Sequence, residues 1–246
     1  MLNDEIHPDE SLDDLILGKM KVIQAREGYR FSLDAVLLAH FPADTGVRQV
    51  IELGSGSGVV SLLMAWRAPR AHITAFEVQP AMVERSRRSV LLNGLQERID
   101  IMEADIRETE EILPGGNAEL VLSNPPFWRQ GEGKVSRGAE EAVARHEIMM
   151  GLPQLVEKGA YLLAPGGKMD IIHRAERLDE AMELFRLYKV PIRRLRFIHS
   201  FSDRTARLVL IEGVKYSSGP VTIMPPLIIY EQTGVYSQEL RSIYGK

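Results

Sequence analysis

A chain of 246 residues, 45% hydrophobic and 26% charged, has ordinary globular composition and is long enough to bury a substantial core without staples. Its zero cysteines exclude disulfides, thiolate zinc sites and thiol catalysis, and a net charge of −4 excludes capture of nucleic acid by overall charge. The acidic start, MLNDEIHPDESLDD, lacks the apolar stretch of a signal peptide, and no apolar run approaches the roughly 18 residues of a membrane span, so a cytoplasmic protein with no membrane partner is expected.

The first 48 residues differ in style from the rest. They are expected to form an extension (acidic tail, hairpin and helix) packed on a main domain over residues 49–246. Within the extension, Leu15–Ile23 favours a strand and Gly28–Phe31 a turn, and Ser32 is placed to cap a helix over Leu33–His40. Gln49–Leu53 then reads as a buried strand, and Val59–Arg67 as a helix after a glycine turn. Ala71–Val78 is the next strand, with Pro80 suited to the first turn of a helix that stops at Gly94. Ile99–Ala104, Leu120–Ser123 and Lys168–His173 continue the strand series, and Ala164–Gly167 reads as a turn before the last of these. A helix over Arg177–Lys189 precedes two strands, Arg193–Ser200 and Ala206–Lys215, that look paired and antiparallel. Strands alternating with amphipathic helices predict an α/β fold: a Rossmann-like, seven-stranded, mostly parallel sheet closed by an antiparallel pair.

Glu52-Leu-Gly-Ser-Gly-Ser-Gly58 follows a strand and opens a helix. Glycines there permit positive φ and close backbone approach to a ligand, and the helix start behind them offers unpaired N–H groups. A dinucleotide-binding turn would space its glycines as G-x-G-x-x-G, whereas Gly54, Gly56 and Gly58 are spaced G-x-G-x-G, with Val59 at the place of the third glycine. That spacing favours S-adenosylmethionine-dependent methyltransferases of the Rossmann-like class over nicotinamide dehydrogenases. Glu77 ends the second strand, where an acid can accept hydrogen bonds from both ribose hydroxyls of an adenosine. The alternative is a strand-end glutamate facing water. Asp105, with Ile106 beside it, follows the third strand where such enzymes hold adenine, although aspartate is also common in plain turns. The expected donor-binding set is Glu52, Leu53, Gly54, Gly56, Gly58, Glu77, Val78, Asp105, Ile106 and Asn124.

Ser123-Asn-Pro-Pro-Phe127 follows another strand. Two successive prolines stiffen the backbone and remove two N–H groups, leaving acceptors to point at a substrate. The Asn124 side-chain carbonyl and the Pro125 carbonyl together suit the two N–H bonds of an exocyclic amine. An aromatic amine is a poor nucleophile because its lone pair is delocalised. Fixing both N–H bonds favours a pyramidal nitrogen aimed at the sulfonium methyl, and in-line displacement then rests on positioning. Phe127 would stack on the planar target. The expected catalytic set is Asn124, Pro125, Pro126 and Phe127; the alternative is a rigid turn followed by a core phenylalanine.

These segments resemble the class I methyltransferases carrying Asn-Pro-Pro-Phe, over roughly Gln49 to Lys215. The stretch Leu17–His40 and Arg145-His146-Glu147 are similar to the family that makes N6-methyladenosine at position 37 of a valine tRNA. This resemblance implies S-adenosylmethionine as cofactor, a tRNA partner, and Tyr29, Phe31 and Asp34 closing over the donor. From the residues alone, Asp34 is simply an acid in the first turn of a helix, Phe31 suits a core position, and His146 carries no assigned step.

An anticodon loop suits such a site because its bases are single-stranded and cheaply splayed. Arg193, Arg194, Arg196, Arg204 and Arg207 crowd one C-terminal stretch against Asp203 alone. Arg26, Arg30, Lys134, Arg193, Arg194, Arg196 and Arg204 are the expected RNA-binding set, unless the arginines only defend solvated strand edges. No metal is expected. The competing substrates are adenine N6 or guanine N2 in ribosomal RNA and a glutamine amide in a protein. A non-enzyme alternative is an inactive donor- or RNA-binding module.

Overall fold

The computed structural model describes residues 6–15, 17–27, 30–125 and 151–245. The chain begins with an antiparallel hairpin, β1 (Glu10–Asp14) and β2 (Lys21–Ala25), followed by helix α1 (Leu33–His40). A strand–helix alternation follows: β3 (Gln49–Leu53), α2 (Val59–Arg67), β4 (His72–Glu77), α3 (Pro80–Leu92) and β5 (Ile99–Glu103). It continues with the short α4 (Thr109–Ile112), β6 (Ala118–Ser123), α5 (Leu152–Leu162), β7 (Leu163–Arg174) and α6 (Leu178–Leu187). The antiparallel partners β8 (Ile192–His199) and β9 (Leu208–Val214) come next. A tail then carries four short strands, β10 (Thr222–Ile223), β11 (Leu227–Ile228), β12 (Tyr230–Gln232) and β13 (Val235–Tyr236), before α7 (Gln238–Ile243).

The central sheet runs β8-β9-β7-β6-β3-β4-β5, and every strand except β9 points the same way. These are the seven strands expected. The sheet gains two more, because β10 and β11 each pair in parallel with β8 through two residues. Such short pairings leave no periodicity in the sequence to find.

Alternate side chains of each strand face opposite layers. Val50 joins one core with α1, α2 and α3, through Val36, Leu62 and Val90 among others. Ile51 and Leu53 join the other with α5 and α6, through Leu155 and Phe185. Helices therefore cover both faces, as a buried parallel sheet requires. Among the described residues no helix is long and apolar enough to cross a membrane.

Two local expectations are corrected. Leu15–Ile23 is not one strand: Gly18 and Lys19 have positive φ, so a 3-10 turn over Leu17–Lys19 separates β1 from β2. The ring of Trp66 packs so closely on Gly18 that a Cβ there would lie 2.6 Å from it. Ala164–Gly167 is likewise not a free turn but part of β7, at a register shift against β6. Gly167 permits it, since a Cβ would stand 2.7 Å from the Ala118 carbonyl.

The hairpin is clasped to α3 by side chains. Ser89 Oγ accepts the Ile23 N–H at 2.9 Å, and the Asn93 amide bonds both N–H and C=O of Lys21 at 3.0 and 2.7 Å. Glu10, only 2% exposed, accepts from Arg85 at 3.2 Å and from both Nη atoms of Arg88 at 2.8 and 2.6 Å. Burial pushes its carboxyl up, but the Arg88 and His7 hydrogen bonds outweigh that and hold it at about 2.

Candidate functional site

Ligands of doubly wound sheets bind outside the carboxyl ends of the strands, where the chain order reverses. Here β3 is followed by β4 and β5 on one side, and the chain then returns to place β6 on the other. The register is level: Glu52 pairs with Ala75 and with Leu122, and Glu77 with Glu103. Gly54, Glu77, Asp105 and Asn124 therefore leave four adjacent strands at the same edge.

The glycine turn is built by its neighbours. Gly54, Gly56 and Gly58 all have positive φ, at 76°, 54° and 78°. The Phe76 carbonyl of β4 accepts the N–H of both Gly54 and Ser55 at 2.9 Å, which binds the turn to the next strand end. Ser86 Oγ on α3 donates to the Gly56 carbonyl at 3.2 Å. A Cβ on Gly58 would come within 2.6 Å of that Oγ, whereas beside Gly54 there is open space. The Ser55 hydroxyl is buried and has no hydrogen-bond partner among the described residues.

These contacts predict unequal effects of substitution. Gly58→Val should lower unfolding free energy by about 1–3 kcal/mol, because a β-branched residue enters the left-handed region and displaces Ser86. Urea unfolding checks this. A midpoint equal to wild type would mean that the turn is not held as described.

Glu77 is 6% exposed and does not face water. Its Oε2 accepts the Gly56 N–H at 2.8 Å, and its Oε1 accepts those of Val78 and Gln79 at 3.0 and 2.9 Å. It thus links the end of β4 to the middle of the glycine turn. Burial raises its pKa, and the three N–H bonds and the Gln79 side chain oppose that rise.

Glu52 lies deeper, 1% exposed, below Leu53 and the turn. Ser61 of α2 donates to its carboxyl group. Burial pushes that carboxyl up to about 8, and the charge of nearby Glu77 adds to the rise. Asp105 is held low chiefly by its hydrogen bond to the Arg107 side chain, and also caps the Arg107 N–H at 2.8 Å. Ile106 packs on the core of the α5 and α6 face.

At the end of β6, the Ser123 hydroxyl donates to the Leu53 carbonyl at 2.7 Å. It thereby fixes the start of the Asn124-Pro125 segment against the glycine turn. Asn124 is half-buried and Pro125 buried. Pro126, Phe127, Lys134, the Arg145–Glu147 segment and Tyr29 lie outside the described residues. Ser32 caps α1 by accepting the Asp34 N–H at 3.3 Å, and burial raises the Asp34 pKa. Phe31 is anchored by its N–H, which donates to the buried Gln24 Oε1 at 2.7 Å.

The arginines of the RNA-binding set are placed differently from one another. Arg193 bonds Ser217 and the Gly219 carbonyl, and Arg194 bonds Glu212 at 2.6 Å and the Phe41 carbonyl at 2.9 Å while lying over the Phe41 ring. Arg196 bonds the Pro225 carbonyl and Glu239. These three fasten the tail and α1 to β8. Arg30 is bonded within the hairpin to Ser11, Ala25 and Asp13, and Arg26 to the Pro8 carbonyl. Arg204, in the β8–β9 turn, is 72% exposed.

Sequence reasoning passed over Ser61, Ser86 and Ser123. Ser61 alone left a trace, as the one hydroxyl inside the apolar run Val59–Trp66.

Comparison with known proteins adds a family and a fold. The sequence profile of the methyltransferase small domain matches residues 33–197. A tRNA1(Val) (adenine(37)-N6)-methyltransferase from Porphyromonas gingivalis is 27% identical over 220 residues, which cover 85% of this chain and 85% of that relative. A predicted O-methyltransferase from Agrobacterium tumefaciens superimposes with a TM-score of 0.69 at 22% identity, covering 86% of this chain and 95% of its own. A 16S ribosomal RNA guanine-N2 methyltransferase from T. thermophilus, solved with AdoMet and guanosine, superimposes with a TM-score of 0.59 at 17% identity, covering 84% of this chain and 50% of its own. At such identities the two solved structures speak for the fold alone.

Proposed function

The chain belongs to the methyltransferase small-domain family, and from that premise we propose that it transfers a methyl group from S-adenosylmethionine to N6 of adenine 37 in a valine tRNA. The observation that carries the reading is the level edge formed by four strand ends. It brings the glycine turn, Glu77, Asp105 and Asn124 to one side of the sheet.

The residues present fit the donor. Open space beside Gly54, the Ser55 hydroxyl without a partner among the described residues and the buried Glu77 carboxyl all belong to one turn. When bound there, S-adenosylmethionine supplies an electrophilic methyl group on a cationic sulfur. Glu77 would accept from its ribose, and Asp105 with Ile106 would border its adenine. Asn124 and the Pro125 carbonyl would take the two N–H bonds of the target amine, and Ser123 keeps them level with the turn. Fixing the amine this way works by orientation and preset dipoles, with no strong base needed before transfer. The methylated amine is acidic and sheds its proton afterwards.

Transfer of labelled methyl from S-adenosylmethionine to total tRNA, with nucleoside analysis of the product, tests the reading. N6-methyladenosine in a valine tRNA is the expected product. Label confined to ribosomal RNA or protein would keep the chemistry and discard the substrate. No label in any of the three, despite donor binding, would turn the reading to an inactive module.

A further inference from the structure

Away from the glycine turn, the carboxyl edge of the sheet carries a concavity. A cleft of about 530 Å³ opens between the end of β7, the end of β8 and the start of β9. Arg174, Glu176, Ser200, Thr205 and Arg207 supply its polar wall, and Ile198, Leu208 and Ile229 are among its apolar residues. Two guanidinium groups against one carboxylate give it a positive balance. Arg174 bonds Glu176 at 2.8 Å, and Glu176 itself is largely exposed. Arg207 is exposed, on a segment whose backbone is held by a bond from its N–H to the Ile198 carbonyl at 3.1 Å.

The position of the cleft relative to Asn124 follows from the register. Strands β6 and β7 are parallel neighbours, and Ser123 pairs with Ile171. Asn124 is therefore level with Ile172, and Arg174 lies one strand across and two residues further along. With strands about 4.8 Å apart and a rise of about 3.3 Å per residue, the two backbones are about 8 Å apart. That separation is comparable to the length of one nucleotide.

We infer that this cleft holds a backbone phosphate of the RNA beside the target adenosine, with Arg174 and Arg207 as its charged ligands and Ser200 and Thr205 as hydroxyl donors. Arginine, serine and threonine are the usual partners of phosphate oxygens, and such contacts set register rather than read sequence. The inference rests on the RNA substrate proposed above. It also extends the phosphate track beyond Arg193, Arg194 and Arg196, because Arg174, itself paired with Glu176, and Arg207 line a cleft at the edge that carries Asn124.

The test is fluorescence anisotropy with a labelled valine tRNA anticodon stem–loop at several KCl concentrations, for wild type, Arg174→Gln, Arg207→Gln and the double variant. Each single variant should weaken binding by about tenfold and the double variant by more. Because both arginines hold one phosphate, the double variant should also flatten the slope of log affinity against log salt by about 0.7–0.9. Melting temperature and affinity for S-adenosylmethionine, both expected to match wild type, serve as controls for folding. Variants that bind like wild type, or a double variant that weakens with an unchanged salt slope, would overturn the cleft assignment and leave the RNA reading standing. A wild-type protein that binds no RNA even at low salt would remove both.

Discussion

The Asn124→Ala variant is expected to transfer methyl about 10²- to 10³-fold more slowly than wild type at saturating donor and tRNA, with donor affinity nearly unchanged. The magnitude is that of removing one preset dipole from a reacting centre. The asymmetry comes from position. Asn124 extends from the end of β6, and the turn that would hold the donor leaves β3, tied to β6 through Ser123 and the Leu53 carbonyl. Truncating the amide removes an acceptor for the amine and leaves that tie in place. Half-buried Asn124 also has little packing to lose, so unfolding should be close to wild type. Single-turnover transfer, alongside calorimetric binding of S-adenosylmethionine, separates the two effects. Near-normal turnover would sink the amine-holding role, and an equal loss of donor binding would leave Asn124 with its expected donor-binding role alone.

Glu52→Gln should change how stability depends on pH. In the folded chain Glu52 sits at about 8, well above the ordinary value of 4.5, because burial penalises its charge. A folded value raised above the unfolded one means that the native state holds the proton more tightly. Its contribution is therefore full below about pH 4.5 and is lost as pH rises through 8. The interval corresponds to a loss on the order of 5 kcal/mol, of which the glutamine variant is free. Urea midpoints should lie close together near pH 5 and diverge towards pH 9 in favour of Glu52→Gln. Parallel profiles across that range would mean that Glu52 is solvated in the native protein. Asp170 titrates in the same sense, since burial lifts it well above the usual carboxylate range, but it is common to both proteins and cancels in the comparison.

Much of the site was legible because its signals are local. Three glycines two residues apart between a strand and a helix, an acid at the next strand end and Asn-Pro-Pro after another are each complete within a few residues. The strand and helix around the turn, Gln49–Leu53 and Val59–Arg67, fall where hydrophobic patterning puts them. What stayed hidden depends on pairs distant in the chain. Nothing near Ser123 in the sequence says that its hydroxyl meets Leu53, 70 residues earlier. The arginines of β8 show the same limit more sharply. A run of positive charge signals a polyanion only if the charges are not already met, and here Glu212, Glu239 and several tail carbonyls meet them. The turn at Gly18 was missed for a related reason: it forms against Trp66, which lies on another element.

The short pairings along β8 also bear on solubility. A sheet that stops at an eight-residue strand offers a row of unmet backbone groups to any other strand, including one from a second molecule. Thr222–Ile223 and Leu227–Ile228 occupy that row, and Pro225 and Pro226 between them have no N–H with which to extend it. At the opposite border the Arg87 side chain covers the Ile101 carbonyl of β5 at 2.9 and 3.1 Å. One border of the sheet is thus covered by a proline-interrupted tail, and at the other a guanidinium occupies one carbonyl of the edge strand. The tail is in this sense a guard against aggregation as much as a part of the fold.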